Sequence, residues 1–209
     1  MVTKVKICGI TNLDDALAAC EAGTDALGFV FAPEAKARNR YIAPEEAQRI
    51  CHALPPFIQK VAVCVNEPID HLMQYLHFMN FVQLCGEESV VDCQFVARRA
   101  IKVFHAGPGF RPEDMLEYPA KVFLLDACVQ GAHGGTGATC DWEVARRAVG
   151  LGRPIILGGG LTPENVAEAV ALVRPYAVDT SGGVESAPGK KDHERIRRFI
   201  QNAKQLPVS

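Results

Sequence analysis

Short runs rich in β-branched and other apolar residues alternate along the chain with segments whose apolar positions recur at helical spacing. The runs read KVKIC, ALGFVF, KVAVCV, FVQLC, IKVFH, KVFLLD, PIILGG and YAVDTS, each followed by a turn and in most cases by a helical segment. Ile69, Leu72, Met73, Leu76 and Met79 share one face of a helix predicted between Asn66 and Gln83. Ala47, Ile50, Cys51 and Leu54 repeat the pattern behind Pro44, a residue suited to a first helical turn, and Ile196, Phe199, Ile200 and Ala203 repeat it near the C-terminus. After IKVFH, Pro108, Gly109 and Pro112 leave room for little more than a turn of helix.

Strands that are almost continuously apolar are buried on both faces, and helices between them imply parallel pairing. The expected class is therefore α/β. Eight units in 209 residues are about 26 residues each, which is compact for a (β/α)8 TIM barrel. A doubly wound open sheet is the competing architecture, but eight β runs are many for an open sheet of this size. No stretch resembles a linker, so one barrel domain over residues 1–209 is expected.

Composition narrows the partners. Apolar residues make up 48% and charged residues 22%, with a net charge of −2 and no long basic run, so neither a nucleic-acid surface nor a membrane-facing helix is expected. The N-terminus enters strand-like sequence too soon for a signal peptide, which gives a cytoplasmic expectation. Partners are then small molecules or a second subunit, in a monomer or homodimer. The eight cysteines, at 8, 20, 51, 64, 85, 93, 128 and 140, form no C-x-x-C pair, and most read as small buried hydrophobes rather than disulfides or metal ligands.

In a barrel, the C-terminal ends of the strands and the loops that follow form the active face. Cys8, Cys85, His105, Asp126, GGGL and DTSGG all lie there. LGGGL after the seventh run and SGG after the eighth supply Gly159, Gly160, Ser181, Gly182 and Gly183, suited to presenting backbone N–H groups to a phosphate. The loop HGGTG, His133 to Gly137, suits either a water-excluding lid or a plain flexible connection. Cys8 and Asp126 end the first and sixth runs, as a thiol for general base and a carboxyl for general acid. Asp179 suits a sugar hydroxyl or an ion pair with a lysine such as Lys6. In KARNR, Arg38 or Arg40 suits an anionic carboxylate.

The motifs KICGIT, DALGFVF, VNEP, VQLCGEES, GGTG followed by DW, GGLTPENV and VDTSGGVESAPGKKD, in this order from about residue 4 to residue 204, resemble the phosphoribosylanthranilate isomerases of tryptophan biosynthesis. The resemblance implies a (β/α)8 barrel that performs an Amadori rearrangement with no metal and no organic cofactor. It implies Cys8 as general base, Asp126 as general acid, and a phosphate site at Gly159, Gly160, Ser181, Gly182 and Gly183. Asp179 then lies near the sugar, and Arg40, by its place before Tyr41, or else Arg38, holds the anthranilate carboxylate. The chain departs from the family pattern at Cys85, where a histidine is usual, at the long loop APEAKARNRYI, at His105 in place of an arginine, and at Ala138 in place of a lysine.

Overall fold

The computed structural model describes residues 2–107, 109–126 and 142–205. Eight parallel strands close into a barrel in chain order: β1 (Lys4–Cys8), β2 (Ala26–Val30), β3 (Gln59–Cys64), β4 (Phe81–Leu84), β5 (Ala100–His105), β6 (Val122–Asp126), β7 (Ile155–Gly158) and β8 (Ala177–Thr180). The open-sheet alternative is thereby excluded, because β8 pairs back onto β1. Around the barrel run α1 (Leu13–Glu21), α2 (Pro44–Ala53), α3 (Ile69–Tyr75), α4 (Val90–Val96), α5 (Trp142–Val149), α6 (Val166–Val173) and α7 (His193–Lys204). Between β5 and β6 the prolines leave a short 3-10 segment, Pro112–Glu117. A small antiparallel hairpin, β9 (Glu185–Ala187) and β10 (Lys190–Lys191), follows β8.

The pleat sorts the strand residues into two layers. Val5, Ile7, Leu27, Phe29, Ala62, Val82, Leu84, Phe123, Leu125 and Val178 face outward and pack with the helices. Val61, Ile101, Val103, Leu124, Ile156 and Ala177 fill the barrel's inside. Polar residues that share this inward alternation are therefore carried to the mouth by register alone.

Two helices follow the predicted pattern closely. Ala47, Ile50, Cys51 and Leu54 are buried, as are Ile196, Phe199, Ile200 and Ala203. The α3 region differs: the helix stops at Tyr75, the Leu76 N–H closes the last turn on the Leu72 carbonyl, and Met79 is buried from the turn beyond it. Met73, expected on the buried face, is half exposed, and within α3 Leu72 is the residue that is buried. No helix among the described residues is long and apolar enough to cross a membrane.

Candidate active site

Lys6 and Cys8 are two residues apart on β1 and so face the same side of the sheet, into the barrel. Register sets Cys8 opposite Gly28 of β2 and Lys6 opposite Asp179 of β8. The Lys6 ammonium donates to the Asp179 carboxylate at 2.8 Å, with the lysine side chain 3% exposed. Of the two roles open to Asp179 in the sequence, the ion pair with Lys6 is thus formed. A Cβ on Gly28 would stand 2.8 Å from the Cys8 sulfur and 3.1 Å from the Lys6 nitrogen. Thiol and ammonium therefore flank one spot, no more than about 6 Å apart, which only a residue without a side chain leaves clear.

The electrostatics of Cys8 are a contest. Burial pushes the thiol above its ordinary value, the Lys6 ammonium opposes this by charge and hydrogen bond, Asp179 reinforces it, and Lys191 again opposes it. Burial likewise works against the charge of Lys6, but Asp179 and Cys8 outweigh it and hold the lysine firmly protonated. Cys85, next inward from the end of β4, accepts a hydrogen bond from the Gln83 amide at 3.3 Å, and burial pushes its thiol up to about 12. The position where a histidine was expected thus carries a half-buried thiol whose environment favours its protonated form.

A second charged group adjoins the first. Glu185, at the start of β9, accepts from Arg40 Nε at 2.9 Å and Arg40 Nη2 at 2.7 Å, and from the Lys191 ammonium at 2.9 Å. Lys191 is fully enclosed and also donates to the Ser181 carbonyl at 3.2 Å. Burial opposes the charge of Glu185, yet Arg40 and Lys191 together hold its carboxyl below the usual range. A Cβ on Gly9 (φ +76°) would meet Ser181 Oγ at 2.9 Å and Arg40 Cδ and Lys191 Nζ at 3.5 Å. Gly9 thus lets the turn after Cys8 run directly under these side chains. Arg38 is exposed on the 3-10 segment Pro33–Arg38, so of the two arginines Arg40 is the one at this group.

The two glycine loops are built for close backbone approach. Gly159 (φ +89°) and Gly160 (φ +65°) turn the chain after β7, and Asn165 braces that turn by donating to the Gly160 carbonyl at 3.1 Å and accepting from the Thr162 N–H at 2.8 Å. The Thr180 hydroxyl donates to the Leu161 carbonyl at 2.7 Å, tying the β8 end to the β7 loop, and any Cβ on Gly183 would collide with that carbonyl. Gly182 opens a short 3-10 turn beside the Arg40 guanidinium. Ser181 Oγ is buried without a hydrogen-bond partner, and such an orphaned hydroxyl is normally met by a ligand or water.

Asp126 ends β6 three strands from β1 around the closed barrel, in register with Gly158 on one side and His105 on the other. Its carboxylate is half-buried, 4.0 Å from His105 Nδ1. The expected HGGTG loop, with Ala138, lies outside the described residues, as do Cys128 and Cys140.

The chain as a whole resembles known proteins in sequence and in fold. The family described as N-(5'-phosphoribosyl)anthranilate (PRA) isomerase matches residues 5–202. The chain belongs to this family. The N-(5'-phosphoribosyl)anthranilate isomerase of Geobacter sp. (strain M21) is 50% identical over 207 residues, covering 98% of this chain and all of that one. The crystal structure of phosphoribosyl anthranilate isomerase from Thermotoga maritima superposes with a TM-score of 0.83 at 45% identity, covering 98% of this chain and all of that one. A phosphoribosyl anthranilate isomerase solved with reduced 1-(o-carboxyphenylamino)-1-deoxyribulose 5-phosphate gives a TM-score of 0.82 at 43% identity over 98% of this chain and all of the other.

Three residues of the mouth were not singled out by sequence reasoning. Gly28 sat inside an apolar run and gave no sign that its missing Cβ seats the Cys8 sulfur. Glu185 and Lys191 lay in VESAPGKKD, a motif used for the family resemblance without roles for these two residues. Their signal was available: a carboxylate and a lysine six residues apart around Pro-Gly suit a tight hairpin that brings them together.

Proposed function

We propose that the family's isomerase reaction is carried out here by Cys8 as general base and Asp126 as general acid. The reaction is the Amadori rearrangement of N-(5-phospho-β-D-ribosyl)anthranilate to 1-(2-carboxyphenylamino)-1-deoxy-D-ribulose 5-phosphate, a step of tryptophan biosynthesis. Asp126, in its acid form, donates a proton to the ribose ring oxygen as the C1–O bond breaks, leaving an iminium between C1 and the anthranilate nitrogen. That cation acidifies the C2 proton. The Cys8 thiolate takes the proton, and the C2–H electron pair forms the C1–C2 double bond of a neutral enolamine. Return of the proton from sulfur to C1, with loss of the O2 proton to the Asp126 carboxylate, gives the ketone and restores both groups. Each well-placed acid or base is worth about 10²- to 10⁴-fold in rate.

The observation that carries this reading is a cysteine and an aspartate ending β1 and β6 of one closed barrel, so that acid and base meet different atoms of one ligand. Gly159, Gly160, Ser181, Gly182 and Gly183 would cradle the phosphate, with the unpartnered Ser181 hydroxyl donating to it. Arg40, with Glu185 on Nε and Nη2, would offer Nη1 to the anthranilate carboxylate. Asp179 would accept from a sugar hydroxyl with the oxygen that Lys6 leaves over. No metal or organic cofactor takes part in these steps. We further propose a cytoplasmic monomer or homodimer; a structure of the Thermotoga maritima relative is described as mutually generated monomers of a dimeric enzyme.

The test generates phosphoribosylanthranilate in situ and follows loss of its anthranilate fluorescence, with EDTA present. The purified chain is expected to consume the substrate and yield the ketose by mass and absorbance. Cys8→Ala and Asp126→Asn are each expected to lose at least about 100-fold in kcat. A wild-type protein without turnover, or variants that match it, overturns the assignment.

A further inference from the structure

Two buried ammonium groups stand beside Cys8, and the acid–base scheme uses neither. Lys6 reaches it along β1, with Asp179 of β8 as counter-ion at 2.8 Å. Lys191 comes from β10 to the turn at Gly9, the residue after Cys8, and acts on the thiol by charge, with Glu185 as counter-ion at 2.9 Å. Both lysine side chains are nearly or fully enclosed, at 3% and 0% exposure. Burying ammonium groups is costly even when paired, and well-packed apolar residues would often serve stability as well. Their cost is understandable where a negative charge has to form between them.

We propose that Lys6 and Lys191 are positioning residues for the isomerisation: they fix the Cys8 sulfur over Gly28 and stabilise it as thiolate at the moment it takes the C2 proton. The proposal rests on Cys8 being the base. Around the thiol, Lys6 acts from β1, Asp179 from β8, Lys191 from β10 and Cys85 from just beyond β4, with Arg40 against Gly9 from the loop after β2, while Gly28 of β2 brings no charge. Reach makes the two cations unequal. Lys6 shares the spot over Gly28 with the sulfur and acts on it by charge and hydrogen bond, whereas Lys191 acts by charge alone. Lys6 therefore has the larger effect on the thiolate, and Lys191 a smaller one of the same sign. Burial raises the Cys8 value and the two cations counter it, so removal of either leaves burial less opposed.

Two readouts test this on the full-length protein. The first is kcat against pH for wild type, Lys6→Met, Lys6→Arg and Lys191→Met. The second is the pH dependence of iodoacetamide alkylation at Cys8, resolved by peptide mass spectrometry with the other cysteines as internal references. Lys6→Met is expected to move the acid limb of kcat and the alkylation curve to higher pH by at least one pH unit, a tenfold loss of thiolate, with KM changed less than threefold. Lys6→Arg is expected to restore part of the shift, and Lys191→Met to give a smaller shift in the same direction. The double variant Lys6→Met/Asp179→Asn leaves no unpaired buried charge, and it is expected to fold and to show a reduced shift of the same sign. Unmoved curves in Lys6→Met, or in the double variant should the single one not fold, overturn the proposal even if kcat falls. Should wild type lack isomerase turnover, the base assignment fails, but the alkylation curves still decide whether the two lysines stabilise the thiolate.

Discussion

Gly28→Ala is a perturbation of one methyl group at the point where β2 passes behind Cys8, the proposed base. The added carbon would lie 2.8 Å from the Cys8 sulfur, 3.1 Å from Lys6 Nζ and 3.2 Å from Cys8 Cα. Ordinary contact lies near 3.5–4.0 Å, so the sulfur has to retreat by roughly 1 Å, and the backbone of β1, hydrogen-bonded to both β2 and β8, gives little. Overpacking of this kind costs about 1–3 kcal/mol of stability. A misplacement of about 1 Å in a reacting group costs on the order of 100-fold in rate. In the proposed arrangement the phosphate loops and Arg40 would hold the ligand from other strands, so binding should hardly change. Steady-state kinetics by anthranilate fluorescence are therefore expected to show kcat lowered about 30- to 100-fold with KM within about threefold of wild type, and thermal unfolding a Tm lower by a few degrees. A variant with lowered Tm and wild-type kcat would refute the reasoning, since the seat of the sulfur would then not govern the rate.

Arg40→Ala should raise KM roughly 10- to 100-fold, the worth of a charge-assisted hydrogen bond of about 1.5–3 kcal/mol, while Arg38→Ala leaves it nearly unchanged; the reverse order in the same assay reassigns the carboxylate contact. Lys102→Met strands the Glu88 carboxylate, now paired at 2.7 Å with both side chains 4% exposed, and should cost about 3–5 kcal/mol in urea unfolding with kcat near wild type. Acid stability follows from the carboxyls held below their usual range: Glu185 by Arg40 and Lys191, Asp15 by His193 and Asn12, and Asp25 by Lys204 and the Val5 N–H, each against the opposing effect of burial. Their contribution is complete above the ordinary carboxylate range and is lost as pH falls toward the folded-state values, because the unfolded chain then binds more protons. Tm should accordingly be flat from pH 7 to about 5 and fall below, less steeply in Glu185→Gln than in wild type. A Tm that rises on acidification contradicts the ion pairs.

The barrel was legible because each strand is short, apolar and followed by turn residues, and because parallel pairing is the way a chain of alternating strands and helices buries both faces of a sheet. The places of Cys8 and Asp126 at the mouth were legible because they are the last residues of such runs. Asp179 was open between two partners, and the register of β1 against β8, a contact between the two ends of the barrel, is what brings Lys6 to it. Gly28 escaped for the same reason, since its importance depends on the strand beside it. The α3 face was overread at Met73 because periodicity shows which residues align and not where the helix stops. Arg40 was preferred over Arg38 from the neighbouring Tyr41, and the carboxylate that orients it, Glu185, is 145 residues further along the chain.

The central claim is that the thiol at the end of β1 removes the sugar proton. Its most direct measurement is kcat of Cys8→Ala against wild type, from parallel preparations of matched Tm, with phosphoribosylanthranilate generated in situ. The account predicts a loss of at least about 100-fold with KM little changed. A Cys8→Ala protein within threefold of the wild-type kcat would contradict it.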